Sequence, residues 1–207
     1  MKLYIANHTC SLAAQIIAHE VGLPVEIHHV DVKTKTFAGN DYLAINRYGY
    51  VPVLQFDDGA TLSETAAVTQ FLAETKPELN LMPPAGSFER AKLIELQIFI
   101  ATEIHQKFIP VFRDYVPEEA KDKFRQILIT NFASLDERFA DGRTYLTGET
   151  FTVADAYLFS VIPWTERTHV DISQLKRLWA FQARVAARPA VQEALRDEAK
   201  AAAGLPV

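Results

Sequence analysis

Cysteine is almost missing from this chain: Cys10 is the single one in 207 residues. No internal disulfide can form, so any redox chemistry at Cys10 must involve a second molecule. Long apolar runs are missing too. None approaches the ~20 residues that cross a bilayer, and the opening MKLYIANHTC has neither the apolar stretch nor the cleavage site of a signal peptide. A cytoplasmic protein without a membrane partner is expected. Basic residues are outnumbered, 21 Lys and Arg against 26 Asp and Glu for a formal charge of −5, so no electrostatic footprint invites nucleic acid. No metal is expected. What remains is ordinary soluble composition: with 49% hydrophobic and 23% charged residues, the chain can bury a core and is not disordered.

The pattern along the chain predicts two halves. Lys2 to Ala6 reads as a short strand, and Asn7, His8 and Thr9 break it. Leu12, Ile16 and Ile17 then have helical spacing up to Gly22 and Pro24. Val25 to Val32 alternates as a second strand, which completes a βαβ unit with parallel strands. Thr34 to Asp41 reads as an irregular loop and Tyr42 to Ile45 as a helical turn. Val51 to Phe56 is a third strand, turned by Asp57, Asp58 and Gly59 into a fourth at Thr61 and Leu62. Ala66, Val68, Phe71 and Leu72 continue as a helix.

Pro77 to Gly86 carries three prolines and a glycine with no periodicity, as a connector would, so a boundary is expected near residue 80. Beyond it only helices are read, at 89–112, 118–140, 153–162, 175–187 and 190–202, with the Ala-rich end fraying. Thr152 and Asp155 resemble a capping box, with Phe151 in the staple position. The expected fold class is therefore α/β plus all-α, a βαβ-ββα domain over 1–80 followed by an all-helical domain over 87–207.

Three places could carry chemistry. Cys10 stands where a strand passes into a helix, where free N–H groups and the helix dipole favour thiolate over thiol; a free cysteine is, however, often just a small buried hydrophobe. Ala13 occupies the place of a resolving cysteine, so the site is monothiol. Pro52 donates no ladder bond and leaves the Val51 backbone free for an extended peptide, unless it is an edge-strand or loop proline. Ser63, Glu64 and Thr65 open a helix, where amides and a hydroxyl can hold a carboxylate while Glu64 meets an ammonium. Both groups occur on a γ-glutamyl unit. The competing reading is that Ser63 merely caps that helix.

The stretches MKLYIANHTCSLA, DYLAINRYGYVPVLQFDDG, SET, FIATEIHQKF and FTVADAYLF resemble those of beta-class bacterial glutathione transferases, over the whole chain. The resemblance implies a thioredoxin-like domain with a cis Pro52, an all-helical domain and a homodimer with a glutathione site in each subunit. It implies that Cys10 lies against the glutathione sulfur or forms a mixed disulfide with it. Lys35 would meet the glycyl carboxylate, Val51 and Pro52 the cysteinyl unit, and Glu64 and Thr65 the γ-glutamyl end. Thr102 and His105 would come from the helical domain, His105 reaching the sulfur; spacing alone places Ile98, Thr102 and His105 on one helical face.

The chain departs from the pattern at Ile98, where the family usually has Asn, at Gln106 in place of Lys, at His8 and Thr9 in place of Pro-Gly, and at Pro163. His8, Phe108, Phe112 and Trp164 are candidates to line an electrophile pocket, although aromatic residues at helical spacing are more often core. The expected function is a glutathione transferase acting on small hydrophobic electrophiles, with glutathione-dependent thiol–disulfide exchange through Cys10. The alternative is a non-catalytic member that binds glutathione or a protein partner.

Overall fold

A computed structural model describes the backbone of residues 1–202 and the side chains of residues 1–201. The expected fraying therefore lies in part outside the described residues. The first compact unit is Met1–Leu79 together with the segment that begins at Ala187, and the second is Asn80–Ala186.

In the first unit, β1 (Lys2–Ile5) leads through α1 (Ser11–Glu20) to β2 (Glu26–His29). Leu3 registers with Ile27 in the parallel β1–β2 pair. A two-residue hairpin, β3 (Thr36–Phe37) and β4 (Asn40–Asp41), stands where the sequence reads as irregular. Thr34 to Asp41 is too polar and too short to register a strand period, and β3–β4 pairing orders it together with bonds to Asp31, which accepts from Thr34 N and Lys35 N. β5 (Val53–Gln55) and β6 (Thr61–Ser63) complete the sheet in the order β2-β1-β5-β6, both antiparallel to their neighbours. α2 (Thr65–Glu74) follows directly.

The period of two along β1 divides the sheet's faces. Leu3 and Ile5 are fully buried on one side, as is Leu54, which registers with Leu3. Tyr4 points to the other side, where it packs with Val30, Tyr42 and Val53, and with Phe37, Ile45 and Val51 at the margin. The loops from 30 to 51 are thus held by an aromatic cluster: Tyr4 meets Phe37 edge-on at 5.0 Å and stacks on His28 at 5.1 Å.

In the second unit, α3 (Phe88–Phe99), a π-helical turn (Ile100–His105) and α4 (Gln106–Val111) run on from one another. α5 (Glu118–Arg138), α6 (Val153–Val161), α7 (Trp164–Thr168) and α8 (Lys176–Ala186) complete it. The core takes Leu93, Ile100, Ile104, Phe108, Leu128, Phe132, Leu158 and Phe181, all fully buried. Every residue of α6 is buried, and its N-terminus is closed by the expected capping box: Asp155 Oδ2 accepts from Thr152 N and Oγ1, both at 2.8 Å.

The last helix, α9 (Pro189–Ala202), differs from the reading that assigned 87–207 to one helical domain: it packs on α1 in the first unit. An ion pair and a hydrogen bond hold it there. Arg188 donates to both oxygens of Glu20, at 2.6 and 3.0 Å, and His19 Nε2 lies 3.0 Å from Asp197 Oδ2. Helical periodicity predicts that α9 has an apolar face, which Val191 and Ala194 fill with full burial; it does not say which surface covers that face.

Candidate functional site

In the first unit, five of the residues singled out by sequence meet at the junction of α1, β5 and α2. Cys10 is the N-cap residue of α1, buried at 6% exposure, and its Sγ donates to the Val51 carbonyl at 3.5 Å. The Val51–Pro52 peptide is cis. The Thr65 side chain hydrogen-bonds Cys10, and the Glu64 carboxylate stands close enough to act on it electrostatically.

The start of α2 is unusual. Its N-cap is Glu64, not Ser63, and no side chain caps it; Ser63 instead pairs in β6 with Val53. Ser63 as a helix cap is thereby set aside, and the first amides of α2 keep the unmatched donor capacity that a bound carboxylate uses. Glu64 itself holds φ at 73° and ψ at 125°, a region that L residues avoid and that costs of order 1–3 kcal/mol. The charge is presented outward, since Glu64 is exposed. Lys35 also has a positive φ, 60°. Its ammonium donates to the Gly49 carbonyl at 2.9 Å and lies 5.8 Å from the centre of the Tyr50 ring, so it is held beside the strand of backbone that leads into Val51.

One expectation is corrected. The helix N-terminus is expected to favour a Cys10 thiolate, yet the thiol is pushed up from 9.0 to about 11. Burial is the largest cause and Glu64 adds to it; the Thr65 bond and the local amide oppose it and lose. Cys10 is thus a neutral hydrogen-bond donor at neutral pH.

In the second unit, His105 closes the π-helical turn. Nδ1 lies 2.8 Å from the Tyr157 hydroxyl, and the ring meets the Trp164 indole at 4.9 Å. Burial pushes the imidazole down from 6.5 to about 4, so it is neutral at pH 7. Thr102 is exposed and donates to the Ile98 carbonyl at 3.0 Å, and Ile98 is 54% exposed. The shared-face argument for these residues assumes 3.6 residues per turn; the π turn shifts everything after it by about one residue, and sequence carried no sign of it.

Phe108, Phe112 and Trp164 do form one aromatic group, with Trp164 5.6 Å from Phe108 and 5.7 Å from Phe112. Phe108 is fully buried within it. His8 belongs to the first unit, where its amide donates to the Glu198 carboxylate at 3.2 Å. Two residues escaped sequence reasoning. Tyr157 is the lone phenol in a wholly buried helix, and Glu198 is a buried carboxylate on α9, whose own carbonyl accepts from Asn7 at 2.8 Å. Among the described residues no group of three or more potential ligands could hold a metal ion, and no helix is long and apolar enough to cross a membrane.

A βαβ-ββα sheet unit with a cysteine at the first helix, a cis-proline strand and an uncapped second helix, joined in sequence to a helical unit, defines a thioredoxin-like domain with a helical partner domain. Family models agree. Residues 9–75 match the N-terminal domain of glutathione S-transferases and residues 118–197 the C-terminal domain. The chain is 40% identical over 199 residues to glutathione S-transferase GstA of Escherichia coli O157:H7, covering 96% of this chain and 98% of the other. Two solved structures are similar at TM-score 0.91 and 36% identity, each over 96% of this chain. One is a sphingomonad glutathione S-transferase complexed with glutathione, of which 99% is covered; the other is a beta-class enzyme of Sphingomonas chungbukensis, of which 98% is covered. The chain belongs to the glutathione S-transferase family, as the resemblance implies, and it is a transferase of the bacterial beta-class type.

Proposed function

We propose that the enzyme joins glutathione to small hydrophobic electrophiles, with glutathione held by Lys35, Val51, Pro52, Glu64 and Thr65 and its sulfur facing Cys10. The observation that carries this reading is the uncapped start of α2 with Glu64 at a φ of 73°. A strained carboxylate beside free helix amides is complementary to the ammonium and carboxylate of a γ-glutamyl group, and strain of this kind persists where function holds it. Thr102 and His105 are the helical unit's contribution, and Phe112, partly exposed beside Trp164 and the fully buried Phe108, supplies apolar surface for the electrophile. The glutathione thiol gives its proton to solvent, and its sulfur forms a bond to the electrophilic carbon as the leaving group departs with the bonding pair.

Because burial keeps the Cys10 thiol protonated and its proton is directed at the Val51 carbonyl, thiol–disulfide exchange through it is the slower branch. The enzyme works as a cytoplasmic homodimer on this reading, which sedimentation at micromolar concentration checks. Calorimetric titration with glutathione tests the site: the wild type binds, and Thr65→Val binds at least several-fold more weakly. Equal binding by that variant removes α2 from the site.

A further inference from the structure

Within the first unit, the backbone that runs into the cis-proline is held by its carbonyls. The Asn46 carbonyl accepts from Gly49 N at 2.8 Å, and the Gly49 carbonyl from Lys35 Nζ at 2.9 Å. The Tyr50 carbonyl takes two donors, Tyr42 Oη at 2.7 Å and Asn46 Nδ2 at 2.9 Å. The Val51 carbonyl accepts from Cys10. Side-chain burial adds little between Asn46 and Val51, where Arg47, Tyr48 and Tyr50 are exposed.

The two donors to Tyr50 come from one piece of chain. Tyr42 opens a 3₁₀ turn (Tyr42–Ala44), and Asn46 N closes on the Tyr42 carbonyl at 2.9 Å, so side chains four residues apart stand on one face. Tyr42 is fully buried beside Tyr4 and Phe37, and burial pushes its phenol pKa up, so it stays a donor. The Asn46 side-chain oxygen accepts from Tyr48 N at 3.2 Å, which leaves the amide NH₂ directed at Tyr50.

In a planar trans peptide the C=O and the N–H point in opposite directions. Fixing the Tyr50 carbonyl therefore fixes the Val51 N–H, which has no hydrogen-bond partner among the described residues. The sheet supplies none. Continuing the β1–β5 register would set Ala6 opposite Val51. The Ala6 N–H donates instead to Ser11 Oγ at 3.0 Å, and its carbonyl accepts from the Thr9 and Ser11 hydroxyls at 2.8 and 3.1 Å. Val51 is left with an oriented donor to be satisfied from outside the fold.

We propose that Tyr42 and Asn46 are positioning residues: together they clamp the Tyr50 carbonyl and thereby aim the free Val51 N–H at the cysteinyl carbonyl of glutathione. This rests on the reading above that Val51 helps to hold the tripeptide, and it adds what keeps Val51 ready. The cysteinyl carbonyl takes no part in the reaction, so the bond it accepts is equally strong before and during bond formation at sulfur. Loosening the clamp weakens glutathione binding without slowing turnover of the bound enzyme.

Deuterium exchange of the Val51 amide, followed by NMR on the full-length enzyme, tests the clamp. A Tyr–Val pair occurs at 50–51 and at 115–116, so ¹³C-Tyr, ¹⁵N-Val labelling selects two amides and Val116→Ile identifies the one from Val51. In the wild type, saturating glutathione is expected to slow its exchange at least about tenfold. Tyr42→Phe keeps the ring and removes one donor. Asn46→Asp keeps the acceptor for Tyr48 N and turns the other donor into an oxygen facing the carbonyl. Both are expected to raise the Kd and KM for glutathione roughly fivefold, with kcat for 1-chloro-2,4-dinitrobenzene unchanged and Val51 less protected at saturation.

An unprotected Val51 in the wild type would remove Val51 from the ligand, whatever the variants do. Protection in the wild type, with full protection and an unchanged Kd in both variants, would leave Val51 in the site and overturn the clamp. A lower thermal midpoint and lower kcat with an unchanged KM would also overturn it, assigning both residues to the fold alone. Tyr42→Phe decides between these outcomes even if Asn46→Asp folds poorly.

Discussion

The Cys10 thiol donates to the Val51 carbonyl across 3.5 Å, and it does so as a buried group pushed up to about 11. A rise of about two pKa units leaves roughly a hundredfold less thiolate at pH 7 than an unperturbed cysteine has. Alkylation of Cys10 by iodoacetamide is therefore expected to be about a hundredfold slower at pH 7 than that of free cysteine, and to accelerate up to about pH 11. Mass spectrometry over a pH series measures both. Rapid labelling at pH 7, or quick formation of a Cys10–glutathione disulfide with oxidised glutathione, would show that the site opens and would restore exchange as the main chemistry.

Glu64 joins strain to charge, and the two respond to substitution with opposite signs. Glycine adopts a φ of 73° freely, so Glu64→Gly relieves strain of about 1 kcal/mol or more, less what the freer unfolded chain gains. Denaturant titration is expected to show a variant at least as stable as the wild type. Calorimetry on the same protein should show glutathione binding weakened by about tenfold through loss of one charge-assisted contact. A less stable variant with intact affinity would assign Glu64 to the fold and not to the ligand.

Much of this architecture is visible in sequence because local signals agree with the packed result. Leu3 and Ile5 alternate with Tyr4, and the sheet buries the first two on one face and the third on the other. Thr152 and Asp155 are three apart, and that spacing alone makes the capping box. The parts that stayed hidden depend on non-local environment. The helix position of Cys10 argues for a thiolate, and only burial among distant segments reverses it. The π turn before His105 leaves no mark in periodicity, and the Tyr157 bond spans 52 residues. That α9 returns to α1 is decided by Arg188 meeting Glu20, 168 residues apart in the chain.

Lys35 and Gly49 are fitted to each other. A Cβ on Gly49 would stand 2.8 Å from Lys35 Cδ, at a φ of +65° that side chains rarely adopt. Gly49→Ala therefore displaces the lysine and strains the backbone, at a cost of about 1 kcal/mol or more. Lys35→Met leaves Gly49 in place and removes only the cation. Both are expected to weaken glutathione binding several-fold, but only Gly49→Ala should lower the thermal midpoint appreciably. Unchanged glutathione affinity in Lys35→Met would remove the lysine from the ligand's carboxylate.

His105 and Glu198 give the stability profile two slopes of opposite sign. His105 titrates near 4 when folded and near 6.5 otherwise, so below pH 6.5 the unfolded chain takes up a proton that the native ring refuses. Its contribution is full above 6.5 and is lost as pH falls towards 4. Glu198, raised by burial from 4.5 to about 7 against the opposing bond from the His8 amide, behaves the other way. Between 4.5 and 7 the unfolded chain releases a proton that the native carboxyl retains, so stability falls as pH rises through that window. Each swing amounts to about 3 kcal/mol at full extent, and the two largely cancel between 4.5 and 6.5. Denaturant midpoints of the wild type should then be nearly flat there as far as these groups contribute. Glu198→Gln, which keeps an acceptor for the His8 amide, should steepen the loss towards acid and gain stability at pH 7. His105→Gln should tilt the same window so that stability falls as pH rises. Parallel profiles for the wild type and Glu198→Gln would mean that the carboxylate titrates normally and that the His8 loop ahead of Cys10 rests on something other than a protonated Glu198.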